Sequence, residues 1–386
     1  MGNDEIKEYI IWLQQVLGAG NGRTSRILDY FGSALNIFNS DEKELIKSGL
    51  FTSTEISKLK YKDLSEAIKI KEECRENGID IITYKDKKYP FCLSVLPDFP
   101  LVLYVKGNMP DFESIPTICI VGPRKVSEYG KRAAYSLSFR LALSGFIIVS
   151  GGALGTDTYV HAGALKSGGI TGLCLGCGIL SDYLSQNAKL RETVSERGCL
   201  ISEYPPKVKP TKYSFPIRNR IMAALSLGTV VIEAGEKSGE LITANHSLEQ
   251  GRDVFVIPGS PNERQYEGSN RLLRDGAKPL LDVSDIFNEY IFRFPDKISI
   301  EKAYSKPIIS ENEPQFEEKN KKIIKDLPET LSNEAKIVYN HLDKQNFSPE
   351  EIDLPDFSPQ QILACLTELE MEFLINALPG GRYEKC

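Results

Sequence analysis

Ile118-Cys119-Ile120-Val121-Gly122-Pro123-Arg124 is an apolar run that stops at a glycine and an arginine. Endings of the same kind return before Leu281, at Ser150-Gly151-Gly152, Gly176-Cys177-Gly178, Glu236-Lys237-Ser238-Gly239 and Pro258-Gly259-Ser260. A helical or loop segment follows each within a few residues. This is the rhythm of a parallel α/β sheet, whose strands are buried on both faces and read as near-continuous Val, Ile, Leu and Cys. In such sheets ligands bind beyond the carboxyl ends of the strands, where glycines let backbone N–H groups and helix N-termini approach an anion. The arginines and lysines in these loops point to a phosphate.

Outward from that core, strands are expected from Thr117 to Val121, Phe146 to Val149, Gly172 to Leu175, Cys199 to Ser202, Thr229 to Glu233 and Asp253 to Ile257. Helices are expected from Glu128 to Ser144 and from Thr156 to Lys166. Ile79 to Thr83 and Leu101 to Val105 read as strands that extend the sheet or prop its edge, with Tyr89-Pro90 and Leu96-Pro97 punctuating the connection. Further upstream, Ile10, Leu13, Leu17 and Ile27, Leu28, Phe31 recur at helical spacing on either side of Gly18-Ala19-Gly20-Asn21-Gly22. Such a glycine hairpin either offers backbone amides to a DNA phosphate or simply turns the chain. Between Phe294 and Glu329 the pattern dissolves into Lys, Glu, Asn, Ser and Pro, the composition of a linker. Beyond it come a helix from Glu334 to Leu342, a short one from Pro349 to Ile352, and one reaching Met371 behind Ser358-Pro359 as cap and first-turn proline. A hairpin around Pro379-Gly380-Gly381 follows, and three helices with a hairpin make a winged helix.

A chain of 386 residues has room for two or three domains, and 41% hydrophobic with 26% charged residues is ordinary for a soluble protein. No run approaches the roughly 20 apolar residues of a membrane span, and the start lacks a signal-peptide pattern, so a cytoplasmic location is expected. That compartment argues against disulfides among the eight cysteines. Cys174-Leu175-Gly176-Cys177 lacks a second pair to complete a metal site, so buried free thiols are expected. The net charge of −6 looks wrong for a nucleic-acid binder until it is divided along the chain. Residues 331–386 hold ten acids against four basic residues, which leaves the first 330 residues neutral.

Lys207 to Arg220, KVKPTKYSFPIRNR, holds five basic residues and no acid, with Tyr213 and Phe215 interleaved. Basic side chains pair with phosphates and an exposed ring offers a stacking face to a base, although a solvated charge run with inward-turned aromatics reads the same way. Ala234-Gly235-Glu236-Lys237-Ser238-Gly239 resembles half a P-loop, with Glu236 where the motif needs a glycine, so ATP hydrolysis is disfavoured. Lys237 with the amides of Ser238 and Gly239 could still hold one phosphate. Asp157 and His161, four residues apart, suit a metal, an acid–base pair, or a cap and a packing contact.

Several of these segments together resemble the DNA-processing protein A family, DprA/Smf. They are Ile120-Val121-Gly122-Pro123-Arg124, Ser150-Gly151-Gly152-Ala153 with Gly155-Thr156-Asp157 and His161, Ile201-Ser202-Glu203-Tyr204-Pro205-Pro206, Phe215-Pro216-Ile217-Arg218-Asn219-Arg220, Glu236-Lys237-Ser238-Gly239, Leu248-Glu249-Gln250-Gly251-Arg252 and Gly268-Ser269-Asn270-Arg271-Leu272-Leu273. The resemblance implies a Rossmann-like homodimer that binds single-stranded DNA, protects incoming strands in natural transformation and loads the recombinase RecA onto them. It implies no enzyme activity, no cofactor and no metal. Carried over by motif, the DNA-contacting residues would be Arg124, Lys212, Phe215, Arg218, Asn219, Arg220, Lys237, Ser238 and Gly239, with Gly122, Gly151 and Gly152 giving the backbone room. The expected domains are a small helical one of the SAM or helix-hairpin-helix type at 1–75, an extended Rossmann-like DNA-binding domain at 76–293, a polar linker at 294–330 and an acidic winged helix at 331–386.

Two departures from the family pattern stand out. Pro123 replaces the small polar residue of the Gly-Ser-Arg turn, removing a hydroxyl and an amide donor. Thr156 stands where Ile is usual before Asp157, which is expected to repack a helix without touching DNA. The helix from Pro359 to Met371 holds Glu368 and Glu370 and no Lys or Arg, so phosphate repulsion disfavours duplex binding there. The segment Ser269 to Asp275 with Leu280-Leu281 suits either a dimer surface or the core. The rival reading is a nucleotide-hydrolysing enzyme of the phosphoribohydrolase-like Rossmann group, against which the turn Gly235-Glu236-Lys237-Ser238-Gly239 lacks that group's Pro-Gly-Gly-x-Gly-Thr-x-x-Glu motif.

Overall fold

Five strands whose every residue is buried form the middle of the protein, as their unbroken apolar composition demands. The computed structural model describes residues 3–183, 185–306, 331–342, 346–352, 354, 357–371, 374–378 and 382–385. The chain divides into two units, Met1–Glu311 and Asn312–Cys386.

The first unit begins with helices α1 (Asn3–Leu17), α2 (Thr24–Phe31), α3 (Ala34–Asn39), α4 (Glu42–Ser48), α5 (Ser53–Lys60) and α6 (Ser65–Glu76). There follow β1 (Ile79–Thr83), α7 (Phe91–Ser94), β2 (Val102–Gly107), β3 (Thr117–Val121), α8 (Glu128–Leu143), β4 (Ile147–Ser150), α9 (Thr156–Ser167), β5 (Thr171–Leu175), α10 (Ala188–Arg197) and β6 (Cys199–Ser202). The unit continues with α11 (Ser214–Ala224), β7 (Gly228–Val231), α12 (Glu240–Glu249), β8 (Asp253–Val256), α13 (Glu267–Arg274), β9 (Lys278–Pro279), α14 (Ser284–Tyr290) and α15 (Ile300–Ser305).

The sheet runs in the order β1-β2-β6-β5-β4-β3-β7-β8-β9. From β6 to β9 it is parallel, while β2 is antiparallel to both β6 and β1. The β1–β2 pair therefore extends the sheet. Strand order reverses at β3, which has β4 on one side and β7 on the other, so the crevice beyond the carboxyl ends of β3 and β7 is the topological switch point.

Two apolar layers cover the sheet. On one face Ile118, Ile120, Ile148, Val230 and Phe255 pack with Leu137 and Leu141 of α8, Val160 of α9 and Ile286 and Phe287 of α14. On the other, Cys119, Val149, Leu173 and Val231 share a core with Ile221 of α11, Ala244 of α12 and the inner faces of α1 to α6. The first 75 residues, expected as a separate helical domain, thus lie in one unit with the sheet.

Elements end where local chemistry stops them. Ser127 caps α8 by accepting from Gly130 N at 3.0 Å, and Thr52 and Glu55 form a reciprocal capping box on α5. The helix α10 carries only Leu190 and Val194 as a buried pair on an otherwise polar surface, too weak a stripe to read from sequence. The expected linker also begins too early. Ile298 and Ala303 are buried against α8, Arg140 donates to Ala303 O at 3.0 Å, and Ser299 N donates to Ser144 O at 2.9 Å. Polar composition hid two apolar residues that anchor α15, while residues 307–330 lie outside the described ones.

In the second unit α16 (Asn333–His341) and α17 (Pro359–Met371) join a three-stranded antiparallel sheet of β10 (Asn346–Phe347), β11 (Ile375–Leu378) and β12 (Arg382–Lys385), in the order β10-β12-β11. Leu331, Val338, Leu366, Leu369 and Ile375 form its core. The Pro379-Gly380-Gly381 turn and Phe373 lie outside the described residues. Among the described residues no helix is long and apolar enough to cross a membrane.

Candidate nucleic-acid interface

Gly122-Pro123-Arg124 leaves β3 at the switch point and is fastened to the start of α9. Thr156 N and Thr156 Oγ1 each donate to Pro123 O at 3.1 Å. Gly155 makes the close approach possible, since its φ is +83° and a Cβ there would lie 2.2 Å from Arg124 O. A side chain at Gly122 would likewise collide with Thr156. The two departures from the family pattern therefore touch each other. The threonine, expected only to repack its helix, supplies a hydroxyl that holds the proline turn.

Arg124 is exposed, and its guanidinium lies 5.3 Å from the Phe215 ring centroid. Phe215, half-buried at the start of α11, meets Tyr183 at 5.3 Å with the rings inclined by 46°. Its ring sits over Gly176, where any side chain would crowd it. Three loops, following β3, β5 and β6, thus converge on a cation and two aromatic rings. A cation over a ring gains about 0.5–1 kcal/mol at exposed sites, which helps hold Arg124 in place. The sequence alone does not single out Tyr183; a lone tyrosine sixteen residues before the next recognisable strand, which starts at Cys199, offers little signal beyond its place after a strand-end glycine.

Lys212 is exposed with its ammonium 5.0 Å from the centroid of the Tyr213 ring, itself 65% exposed. Lys237 and Gly239 are exposed and Ser238 half-buried in the turn that enters α12 next to the β3 loop, because β7 pairs with β3. These residues offer two exposed cations and backbone to solvent at the carboxyl edge of the sheet.

The remaining basic candidates are turned inward. Arg220 is 3% exposed and grips Glu203, itself 2% exposed, through Nη2 at 2.9 and 2.8 Å, while its Nε lies 2.9 Å from Asp98. Gln14 and Gly20 N also donate to Glu203 Oε1, both at 3.3 Å. Burial pushes the Glu203 carboxyl upward and Arg220 opposes that shift. The glycine hairpin at 18–22 consequently presents its central amide to a buried carboxylate, joining α1 to the sheet, which is the turning role and not a phosphate-binding one.

Arg218 and Asn219 are also buried. A Cβ on Gly151 would lie 2.4 Å from Arg218 Nη1 and 2.5 Å from Asp157 Oδ2, so this glycine gives room to side chains of the interior. Gly152 is buried against Leu173 and Leu175. Arg218 counters the upward push of burial on Asp157, whose oxygens accept from Ser150 Oγ and Ala153 N at 3.0 Å. His161 Nε2 lies 2.7 Å from Gly151 O and Nδ1 2.8 Å from Thr171 Oγ1. A carbonyl only accepts, so Nε2 carries the proton, while Nδ1 lies beside a Thr171 hydroxyl that donates to Ile148 O at 2.8 Å. Burial lowers the histidine to about 4. His161 is thus a packing contact, and Asp157, inside the first turn of α9, ties the preceding loop rather than capping the helix, whose N-cap is Gly155. Among the described residues no three His, Cys, Asp or Glu side chains are grouped to share a metal ion. Cys174 and Cys177 are buried free thiols, the former raised to about 12 by burial.

At the switch crevice Glu233 is 1% exposed. It accepts from the Ser127 hydroxyl, from Ser127 N at 3.2 Å and from Tyr266 OH at 3.2 Å. A buried carboxylate therefore fills the place where many doubly wound folds seat a nucleotide phosphate.

Residues 80–291 match the family model described as DNA recombination-mediator protein A. DNA processing protein DprA of Bacillus subtilis (strain 168) is 41% identical over 215 residues, covering 56% of this chain and 72% of its own. Among solved structures, DprA from Streptococcus pneumoniae superposes with a TM-score of 0.64 at 31% identity, covering 74% of this chain and 98% of that one. DprA from Helicobacter pylori, solved for its single-stranded DNA binding mode, gives 0.50 at 30% identity over 55% of this chain and 97% of its own. With more than half the chain matched by the family model and a relative 41% identical covered over 72% of its length, this protein belongs to the DNA recombination-mediator protein A family, DprA/Smf.

Proposed function

We propose that this chain binds single-stranded DNA along the carboxyl edge of its parallel sheet, protects the strand, and hands it to the RecA recombinase during transformation and recombination. The observation that carries this reading is the cluster of Arg124, Phe215 and Tyr183, where a cation and two inclined rings are brought together from the connections after β3, β6 and β5. Arg124, Lys212 and Lys237 grip phosphates, the amides of Ser238 and Gly239 add to the last of these, and Phe215 stacks on a base. Arg218, Asn219 and Arg220 act by positioning α11 from the interior. The protein works as a binding protein and not an enzyme, with no cofactor, and the engagement of Glu233 by Ser127 and Tyr266 disfavours the nucleotide-hydrolysing alternative.

A homodimer in the cytoplasm would tether a strand at two points, and avidity of that kind multiplies affinity by roughly 10²–10⁴. Leu281 and Phe292, 81% and 92% exposed, are candidates for its surface, whereas Leu280 belongs to the core. The first helices serve as a SAM or helix-hairpin-helix-like layer, and the second unit as an acidic winged helix that contacts protein rather than duplex. Fluorescence anisotropy with labelled oligo-dT and a matched duplex over a salt series tests the reading. Single-strand preference is expected, with a slope of about −0.7 per phosphate contact that shallows in Lys212→Ala. Phe215→Ala should lose about 1–3 kcal/mol. Equal affinity for duplex and single strand, or an unaffected Phe215→Ala, would sink it.

A further inference from the structure

Past the carboxyl end of β1 the chain makes two tight turns. Asp86 Oδ2 accepts from Thr83 N at 2.7 Å and from the Thr83 hydroxyl at 2.9 Å, and Tyr89 N donates to Asp86 O at 3.0 Å. The buried Tyr89 ring then donates its hydroxyl to Pro100 O at 2.7 Å. The loop is pinned at both ends, and Lys85, Lys87 and Lys88 between the pins are exposed. With Lys7, Asp80 and Asp86 they line a groove of about 540 Å³. Lys7 is engaged, 3.5 Å from Asp86 and donating to Ile81 O at 2.8 Å. Lys85 lies 5.0 Å from the Tyr84 ring centroid. An adjoining hollow of about 330 Å³ shares Lys7, Lys85 and Asp86 and is walled by Ile6, Ile10, Leu35 and Tyr84.

Arg124 and Phe215 line neither hollow, yet the sheet brings both places to one edge. Strand β1 is antiparallel to β2 and β2 to β6, and two reversals restore the direction of the parallel set. The carboxyl end of β1 therefore opens on the same edge as that of β3. Five strand spacings of ~4.8 Å put them about 24 Å apart. The course of α1 gives a similar figure. Lys7 stands at the groove and Gly20, beyond the far end of the helix, packs on Ile217, so at 1.5 Å per residue the span is about 20 Å. With its bases stacked at the duplex spacing of ~3.4 Å a strand covers 24 Å in about seven nucleotides, and an extended strand covers it in fewer.

We propose that the groove of Lys85, Lys87 and Lys88 is a second phosphate-binding station for the same single strand that lies on Arg124 and Phe215, with the apolar hollow beside it admitting a base. This rests on the single-stranded DNA reading above. Both stations act together only when the strand is long enough to reach them.

The test compares the full-length wild type with the triple variant Lys85→Ala, Lys87→Ala, Lys88→Ala, all surface changes, using labelled oligo-dT of about three nucleotides, too short to span about 24 Å even when extended, and about twenty-five nucleotides over a salt series. The expected result is affinity for the short strand within about twofold of wild type, with loss of about tenfold or more for the long strand. The log-log salt slope for the long strand should shallow by about 2, at ~0.7 per contact. An unchanged long-strand affinity and slope, or equal loss at both lengths, overturns the second station and leaves the Arg124–Phe215 reading standing. A wild type that binds neither strand overturns both.

Discussion

Arg220 and Phe215 lie five residues apart in one basic stretch and do opposite work. Phe215 stays at the surface under Arg124, while Arg220 is bound to Glu203 and Asp98 inside the protein. Removing one partner of a buried ion pair leaves the other charge stranded, at a cost of about 3–5 kcal/mol. Arg220→Ala should therefore lower the unfolding free energy from urea titration by that much; a variant of unchanged stability that loses only DNA affinity would return Arg220 to the binding surface. His161 carries a second expectation. It titrates near 6.5 in the unfolded chain and at about 4 in the folded one, so between those values the unfolded state binds more protons. Its stabilisation is complete above pH 6.5 and is lost as pH falls toward 4, by about 3 kcal/mol in all. Asp157 and Glu203, both raised by burial, slope the other way, so the difference between wild type and His161→Gln isolates the histidine. Urea midpoints from pH 7 to 4 should converge for the two proteins, and parallel curves would refute the assignment.

At the scale of elements, the turn after β3 is held by the first residue of α9. The Thr156 hydroxyl is one of two donors to Pro123 O, and a hydrogen bond of this kind contributes about 1 kcal/mol. Thr156→Val should lower stability by about that amount and weaken oligo-dT binding several-fold, because Arg124 follows directly on the turn. Midpoints and anisotropy unchanged together would mean that the threonine does not hold it. The strands were legible in the sequence because burial on both faces leaves an apolar run that composition alone reveals: the starts and ends expected for β3 and β6 are those observed. The helix α10 and the ordered start of the supposed linker were not, since each depends on two apolar residues whose partners lie far along the chain.

At the scale of the whole molecule, charge and core are distributed unequally. Residues 331–386 carry the entire net charge of −6, and within them Glu368 is engaged, accepting from Ser332 N at 2.6 Å and Ser332 Oγ at 2.7 Å at the start of α16. Deleting 331–386 should raise oligo-dT affinity at low salt, with the two proteins converging at high salt as the repulsion is screened. Identical binding to DNA and to recombinase with and without these residues would remove any role for the unit in either contact. Periodicity, glycine placement and motif order, all local properties, were enough to establish a mostly parallel α/β sheet and the family. Which basic residues remain on the carboxyl edge of that sheet was decided only by the tertiary structure. An arginine's sequence neighbours do not reveal whether a buried carboxylate such as Glu203 awaits it, nor which strand ends meet when distant segments pair.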